Sequence, residues 1–197
     1  MKKLQLGAFD QGLEGWVNTD ITPHLFLARI PWLPLLLRKA GILSEQRYQQ
    51  HRTGAFRRIR YLNVTRKFPF DDATFDFVYS SHMLEHLPPS NAKHCLREIH
   101  RVLKSGGIVR IVVPDLEYVL NKYVREAPEA FLTELFEANQ TSVKNMHHWH
   151  YNECSLRTSL EEAGFSSVSK ELFRHGRCPD LDRIEHREES MFMEAVR

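Results

Sequence analysis

Pro69-Phe70-Asp71-Asp72-Ala73-Thr74-Phe75-Asp76-Phe77-Val78-Tyr79-Ser80-Ser81-His82-Met83-Leu84-Glu85-His86-Leu87 is the stretch on which the fold turns. Residues 71–74 are turn-forming, and Phe75 to Ser81 reads as a strand. Beyond it, Ala92, Cys95, Leu96, Ile99, Val102 and Leu103 recur at three- and four-residue spacing, one face of a helix. Ser90 offers an N-cap, and Gly106 or Gly107 a C-terminal stop. Ile108 to Val113 is a β-branched run closed by Pro114, as expected of a central, buried strand. Strand, helix and buried strand in succession imply a parallel sheet.

Working outward, Leu4–Ala8, Trp16–Ile21 and Ile59–Val64 read as three earlier strands. Residues 115–140 read as helical with a break at Pro128, and 141–152 as a polar, histidine-rich loop over a site. Glu153–Ala163 reads as a helix ended by Gly164. Ser167–Phe173 and Ser190–Val196 read as a closing strand pair, joined by Arg174–Glu189, which is long and charged for a hairpin. The expected fold is α/β: a Rossmann-like, mostly parallel sheet with an antiparallel C-terminal strand and helices on both faces. One domain spanning 1–197 is expected, with a helical insertion at about 22–57 and a helical or loop cap at about 115–152.

Composition bounds the function. The 197 residues are 42% hydrophobic and 26% charged, with a formal net charge of +2, so no global field calls for DNA. Three cysteines, Cys95, Cys154 and Cys178, lie far apart and are odd in number. They argue against a disulfide framework and fit a reducing cytosol. Met1 to Gly7 has a basic start but no long apolar core, so no signal peptide is expected and the expected compartment is cytoplasmic. Leu25–Leu43 is apolar but interrupted by Pro31 and Pro34, too short and too broken to span a bilayer. It reads as a cover for one sheet edge, with a membrane-surface contact through 25–43 or a dimer contact as the other readings.

In an open α/β sheet, ligands sit beyond the carboxyl ends of the strands, where a glycine admits close approach and an acidic residue can hold ribose hydroxyls. Gly7 and Asp20 occupy those two places. The 69–87 stretch quoted above resembles the fourth-strand region of class I S-adenosylmethionine-dependent methyltransferases, in the subgroup called methyltransferase type 11. Leu96 to Gly107 and the strand through Pro114-Asp115 are similar to the same family's next segment. Leu4-Gln5-Leu6-Gly7 with Gly15 to Asp20 resembles a variant whose first two strands lie close in sequence; His148-Trp149-His150-Tyr151 and Leu160 to Phe165 resemble its tail.

The resemblance implies S-adenosyl-L-methionine as cofactor. Gly7 and Ala8 would line its methionine part, Asp20 would take the ribose, and Asn63 and Val64 would flank the adenine. Ser80, Ser81 and His82 would face the methionine and the transferring methyl. Two departures stand out: Phe9 where a second glycine is usual, and Asn63 where aspartate is common. Only Phe9–Gly15 separates the first two strands, so either the first helix is vestigial or the second strand lies elsewhere.

Methyl transfer from a sulfonium needs alignment in a dry pocket, and a neutral acceptor benefits from a base. His82, His86 and His148 are the candidate catalytic residues, with His82 nearest the methyl. Glu85 would orient a histidine or cap the following loop. His147, His148 and His150 lack a completing carboxylate or cysteine motif, so no metal is expected. Gly106-Gly107 lacks the Lys-Ser/Thr pair of a phosphate loop. The expected activity is O-methylation of a small-molecule or glycan acceptor. The alternatives are a methyltransferase-like binding module without catalysis, which Phe9 favours, and an RNA methyltransferase, against which no aromatic platform is spaced among the arginines at 47–60.

Overall fold

The computed structural model describes residues 1–136 and 146–197, so the ends of the 115–140 and 141–152 readings, at 137–145, lie outside the described residues. Among the described residues seven strands form one sheet: β1 Lys3–Leu6, β2 Val17–Asp20, β3 Ile59–Tyr61, β4 Phe75–Ser81, β5 Leu103–Pro114, β6 Ser166–Glu171 and β7 Ser190–Val196. Their order is β3-β2-β1-β4-β5-β7-β6, with β7 antiparallel to both neighbours and the other pairings parallel. This is the expected Rossmann-like arrangement.

Alternation along the central strands divides the core. Leu4, Leu6, Val78, Val109, Ile111, Val113 and Met193 share one buried cluster with Cys95, Leu96 and Ile99 of α4 (Pro89–Val102) and Leu156 and Leu160 of α7 (Glu153–Glu162). Tyr79, Val112 and Phe192 belong to a second cluster, with Trp16, Cys178, Leu181 and Ile184. This second face carries the fold's main departure from a doubly wound sheet. No helix forms between β1 and β2, so the second strand is correctly placed and the first crossover helix is missing. The long β6–β7 connection, with its short helix α8 (Leu181–Ile184), lies there instead. Asp180 ties it down by accepting from Lys3 Nζ at 2.6 Å and Trp16 Nε1 at 2.9 Å. The hydrogen bond from Lys3 is the main cause holding the Asp180 carboxyl below its ordinary range.

A buried ion network pins the same connection from below. Arg110 on β5 stands opposite Glu194 on β7 and is fully buried. Its guanidinium donates to Glu185 Oε1 at 2.6 Å, His175 O at 2.7 Å, Leu172 O at 3.0 Å and Glu194 Oε1 at 3.3 Å. The carboxylates in turn accept from the backbone N–H groups of Arg174, Arg177 and Cys178. Gly176 passes so close that a β-carbon there would overlap the Glu194 carboxylate.

Two sequence expectations are corrected at α4. Its first turn begins at Pro89 with Pro88 as N-cap, not at Ser90. A proline in the first turn lacks only an N–H that has no helical partner, so the pair starts the helix without a polar cap. The helix ends at Val102 and runs straight into β5, so Gly106 and Gly107 lie inside the strand. They build an irregularity at which the pairing with β4 shifts register. Gly106 has φ +73°, and a β-carbon on Gly107 would stand 2.8 Å from Lys104 O.

Between β2 and β3 lie α1 (His24–Leu27), α2 (Leu33–Lys39) and α3 (Glu45–Thr53), followed by a 3₁₀ turn, Ala55–Arg58. Leu25 and Phe56 pack on Ile59 of the edge strand β3, so this segment does cover one sheet edge. His24 and His51 meet at 3.0 Å between ring nitrogens, and burial is the leading cause lowering the pKa of each. After β5 come α5 (Leu116–Leu120) and α6 (Pro128–Phe136).

Candidate active site

Gly7 leaves the tip of β1 with φ +68°, and a β-carbon there would stand 2.9 Å from Cβ and Cγ of Met83. Only a bare backbone makes this turn. Phe9, in the second glycine's place, also has a positive φ, +45°. The backbone keeps the conformation a glycine would take, while the ring is drawn aside. It packs edge-on against Phe56 and His24, at centroid distances of 5.9 and 6.1 Å, with the Arg47 guanidinium 4.5 Å above it. The ring thus borders the crevice and takes its contacts from the β2–β3 segment.

Asp20, at the end of β2, braces the turn. Its Oδ2 accepts from Phe9 N at 2.9 Å and its Oδ1 from Thr22 N at 2.7 Å. A carboxylate has about four acceptor positions, so two remain for other donors. Asn63 and Val64 lie just past the short β3. Asn63 Oδ1 accepts from Thr65 N at 3.0 Å and Thr65 Oγ1 at 2.8 Å, while Val64 packs on the main core.

A cavity of about 210 Å³ opens at the strand tips, bordered by Gly7, Ala8, Phe9, Ser81, His82 and Arg187 among others. Gln5, which also lines it, keeps a buried Oε1 with no hydrogen-bond partner, and Ser80 keeps a buried Oγ in the same condition. A second cavity of about 320 Å³ lies alongside, lined by Asp115, Tyr118, Thr133, Glu134, Glu189 and Ser190 among others. His82 and Arg187 line both.

His82 thus stands at the junction. Its φ is +48°, in a region that side-chain-bearing residues rarely adopt, and its N donates to Val112 O at 2.9 Å. Nε2 lies 3.0 Å from Ser190 Oγ, and Nδ1 lies 3.3 Å from Glu85 Oε1. Glu85 is buried completely, and its main-chain oxygen accepts from His148 N and Trp149 N. The carboxylate and carbonyl of one residue therefore touch both a candidate base and the histidine-rich loop.

The other histidines separate. His86 lines neither cavity; its Nδ1 lies 3.3 Å from Met146 O. His148 is exposed and also lines neither, whereas its neighbour His147 is buried and lines the larger cavity. Glu85, His86 and His147 bring ligand-type atoms within 4.8 Å of one another, so the carboxylate that sequence spacing did not supply comes from the turn after β4. Arg187, Ser190 and His147 were missed by sequence reasoning. The unusual length and charge of 174–189 was the available signal for Arg187.

Residues 40–111 match the family model described as a methyltransferase domain. Over those residues the chain is similar to class I methyltransferases of the type 11-like kind. An uncharacterized methyltransferase of Synechocystis is 32% identical over 108 residues, 55% of this chain and 46% of the relative. A sterol 4-C-methyltransferase of Caenorhabditis elegans is 39% identical over 67 residues, 34% of this chain and 19% of that one. The chain therefore spans less than half the length of these curated relatives. A solved S-adenosylmethionine-dependent methyltransferase from Thermotoga maritima superposes with a TM-score of 0.56 at 16% identity, covering 99% of this chain and 81% of that one; it shows the shared fold.

Proposed function

We propose that the protein binds S-adenosyl-L-methionine at the tips of β1, β2 and β4 and methylates a hydroxyl on a small-molecule or glycan acceptor. The observation that carries this reading is His82, held between two adjoining cavities. The cofactor test rests on three features: a turn that a β-carbon at Gly7 would fill, acceptor positions left on Asp20, and the unpartnered buried Oε1 of Gln5, which lines the cavity. These suit a ligand with an amino group and vicinal hydroxyls. In this reading Gly7, Ala8, Ser81 and His82 line the amino-acid end, Asp20 takes the ribose, and Asn63 and Val64 flank the base. When bound, the cofactor supplies a methyl group already activated on sulfur.

The chain's own part is positioning and proton removal. The Glu85 carboxylate, with Oε1 3.3 Å from Nδ1 of His82, favours the proton on that nitrogen by its charge and leaves Nε2 as the base. Nε2 faces Ser190 at the larger cavity, where an acceptor hydroxyl would compete with the serine for the same nitrogen. The cavity's mixed lining of Tyr118, Val119, Thr133, Glu134 and Glu189 suits a hydroxylated ring of sugar size. His86 and His148 act from behind, holding the loop that closes on Glu85. The displaced ring of Phe9 speaks against a binding module without catalysis.

Calorimetry with S-adenosylmethionine and S-adenosylhomocysteine tests the cofactor reading, and failure of both to bind at millimolar concentration removes it. Asp20→Ala is expected to weaken binding by about 1–3 kcal/mol, the value of a charge-assisted hydrogen-bond pair. Affinity equal to the parent would show that the ribose is held elsewhere.

A further inference from the structure

The segment between β2 and β3 keeps many of its apolar residues outside. Trp32 is 65% exposed and Ile42 72%, and Phe26, Ile30 and Leu36 are exposed as well. From α1 and α2 only Leu25 and Pro34 are buried. Residues 21–62 also carry eight arginines and lysines against a single acid, Glu45. Arg38 pairs with Glu45 and Arg47 with Asp10. Arg29, Lys39, Arg52, Arg57, Arg58 and Arg60 form no ion pair among the described residues. A cleft of about 180 Å³ beside Trp32 is lined by Leu35, Tyr48, Arg52 and Arg57 among others. Among the described residues no helix is long and apolar enough to cross a membrane.

Uncompensated cations beside exposed tryptophan and aliphatic tips form a surface that lies in a bilayer interface without spanning it. We propose that this segment docks the protein on an anionic phospholipid surface. Trp32, Leu36 and Ile30 enter the boundary between headgroups and acyl chains, while Arg52 and Arg57 take lipid phosphates at the cleft. Charge selects this occupant. A second copy packed on the same patch by a two-fold axis would bring two sets of unpaired cations together. RNA would satisfy the cations but leave Ile30, Leu36 and Ile42 without a use, since bases stack on aromatic faces. The same segment supports Phe9 through His24 and Phe56, so docking would hold the cofactor crevice close to the bilayer. Together with the glycan reading above, this points to a lipid-linked glycan as acceptor; the docking itself does not depend on that reading.

Vesicle flotation tests it apart from any methyl transfer. The full chain is expected to float with phosphatidylcholine vesicles containing roughly one third phosphatidylglycerol, at least about tenfold more strongly than with phosphatidylcholine alone, and to be released by added salt. Arg52→Gln with Arg57→Gln should lower partitioning about fivefold per cation. Trp32→Ser with Leu36→Ser should lower it by about tenfold or more, with the parent's thermal melting retained because both side chains are largely exposed. Absence of binding to the anionic vesicles at low salt would overturn the proposal. So would apolar variants that bind like the parent, or a dimer in sedimentation velocity that the Trp32→Ser change dissolves.

Discussion

Arg110→Met lowers the stability of the folded chain by about 3–5 kcal/mol, the cost of removing one partner from a buried ion pair. The guanidinium is fully buried between Glu185 and Glu194, which are themselves buried. Removing it leaves two buried carboxylates near each other, with Glu185 stripped of its cation and Glu194 left only the partly exposed Arg177 guanidinium at 3.3 Å. Replacing all three by apolar residues offers no escape, because the carboxylates also accept from the N–H groups of Arg174, Arg177 and Cys178. Against a typical total of about 5–15 kcal/mol, the loss takes a large share. Urea unfolding followed by far-UV circular dichroism measures it, and a change below about 1 kcal/mol would show that the network is dispensable. Glu185 and Arg187 border the smaller cavity, so S-adenosylhomocysteine binding is expected to weaken in the same variant.

His82→Asn is expected to lower kcat for methyl transfer by about 10²–10⁴-fold, the usual contribution of a positioned base, while leaving cofactor affinity within a few-fold of the parent. Asparagine is the apt replacement because it tolerates the positive φ that this position requires. Glu85→Gln should produce a smaller loss, since the amide no longer favours the Nδ1–H tautomer as a carboxylate does. The measurement is transfer of labelled methyl from S-adenosylmethionine to the best acceptor found in a panel of hydroxylated glycosides. A kcat for His82→Asn equal to the parent's would remove the base from the mechanism and leave alignment as the protein's whole contribution.

The sheet and its crossover were legible because a strand buried on both faces is a continuous apolar run and a helix packed on one face spaces its apolar residues by three and four. Ile108 to Val113 and Phe75 to Ser81 read correctly for that reason, as did the crossover helix through Cys95 and Ile99. Boundaries set by sterics were harder. Pro88 and Pro89 start α4 by tolerating a missing N–H, a weaker sign than the hydroxyl of Ser90. Gly106 and Gly107 serve a bulge inside a strand, and nothing local separates that use from a helix stop. In the candidate site, Gly7, Asp20 and His82 were proposed from sequence because each stands at a strand tip fixed by the sheet's own order. Arg187 could not be, since it reaches the cavities only through the fold of a connection that no periodicity describes, and Ser190, though it opens β7, gives no local sign that it meets His82. His147 and His148 are neighbours in sequence, and which of them faces inward depends on how Glu85 grips the loop backbone.

The clasp of Asp180 on Lys3 and Trp16 joins segments as much as 177 residues apart. Closure over so long a stretch of chain is entropically slow to reach, and it supplies a wall of the pocket that would receive the methyl donor. Affinity for that donor should accordingly emerge in the last phase of refolding, after the helical content has already returned.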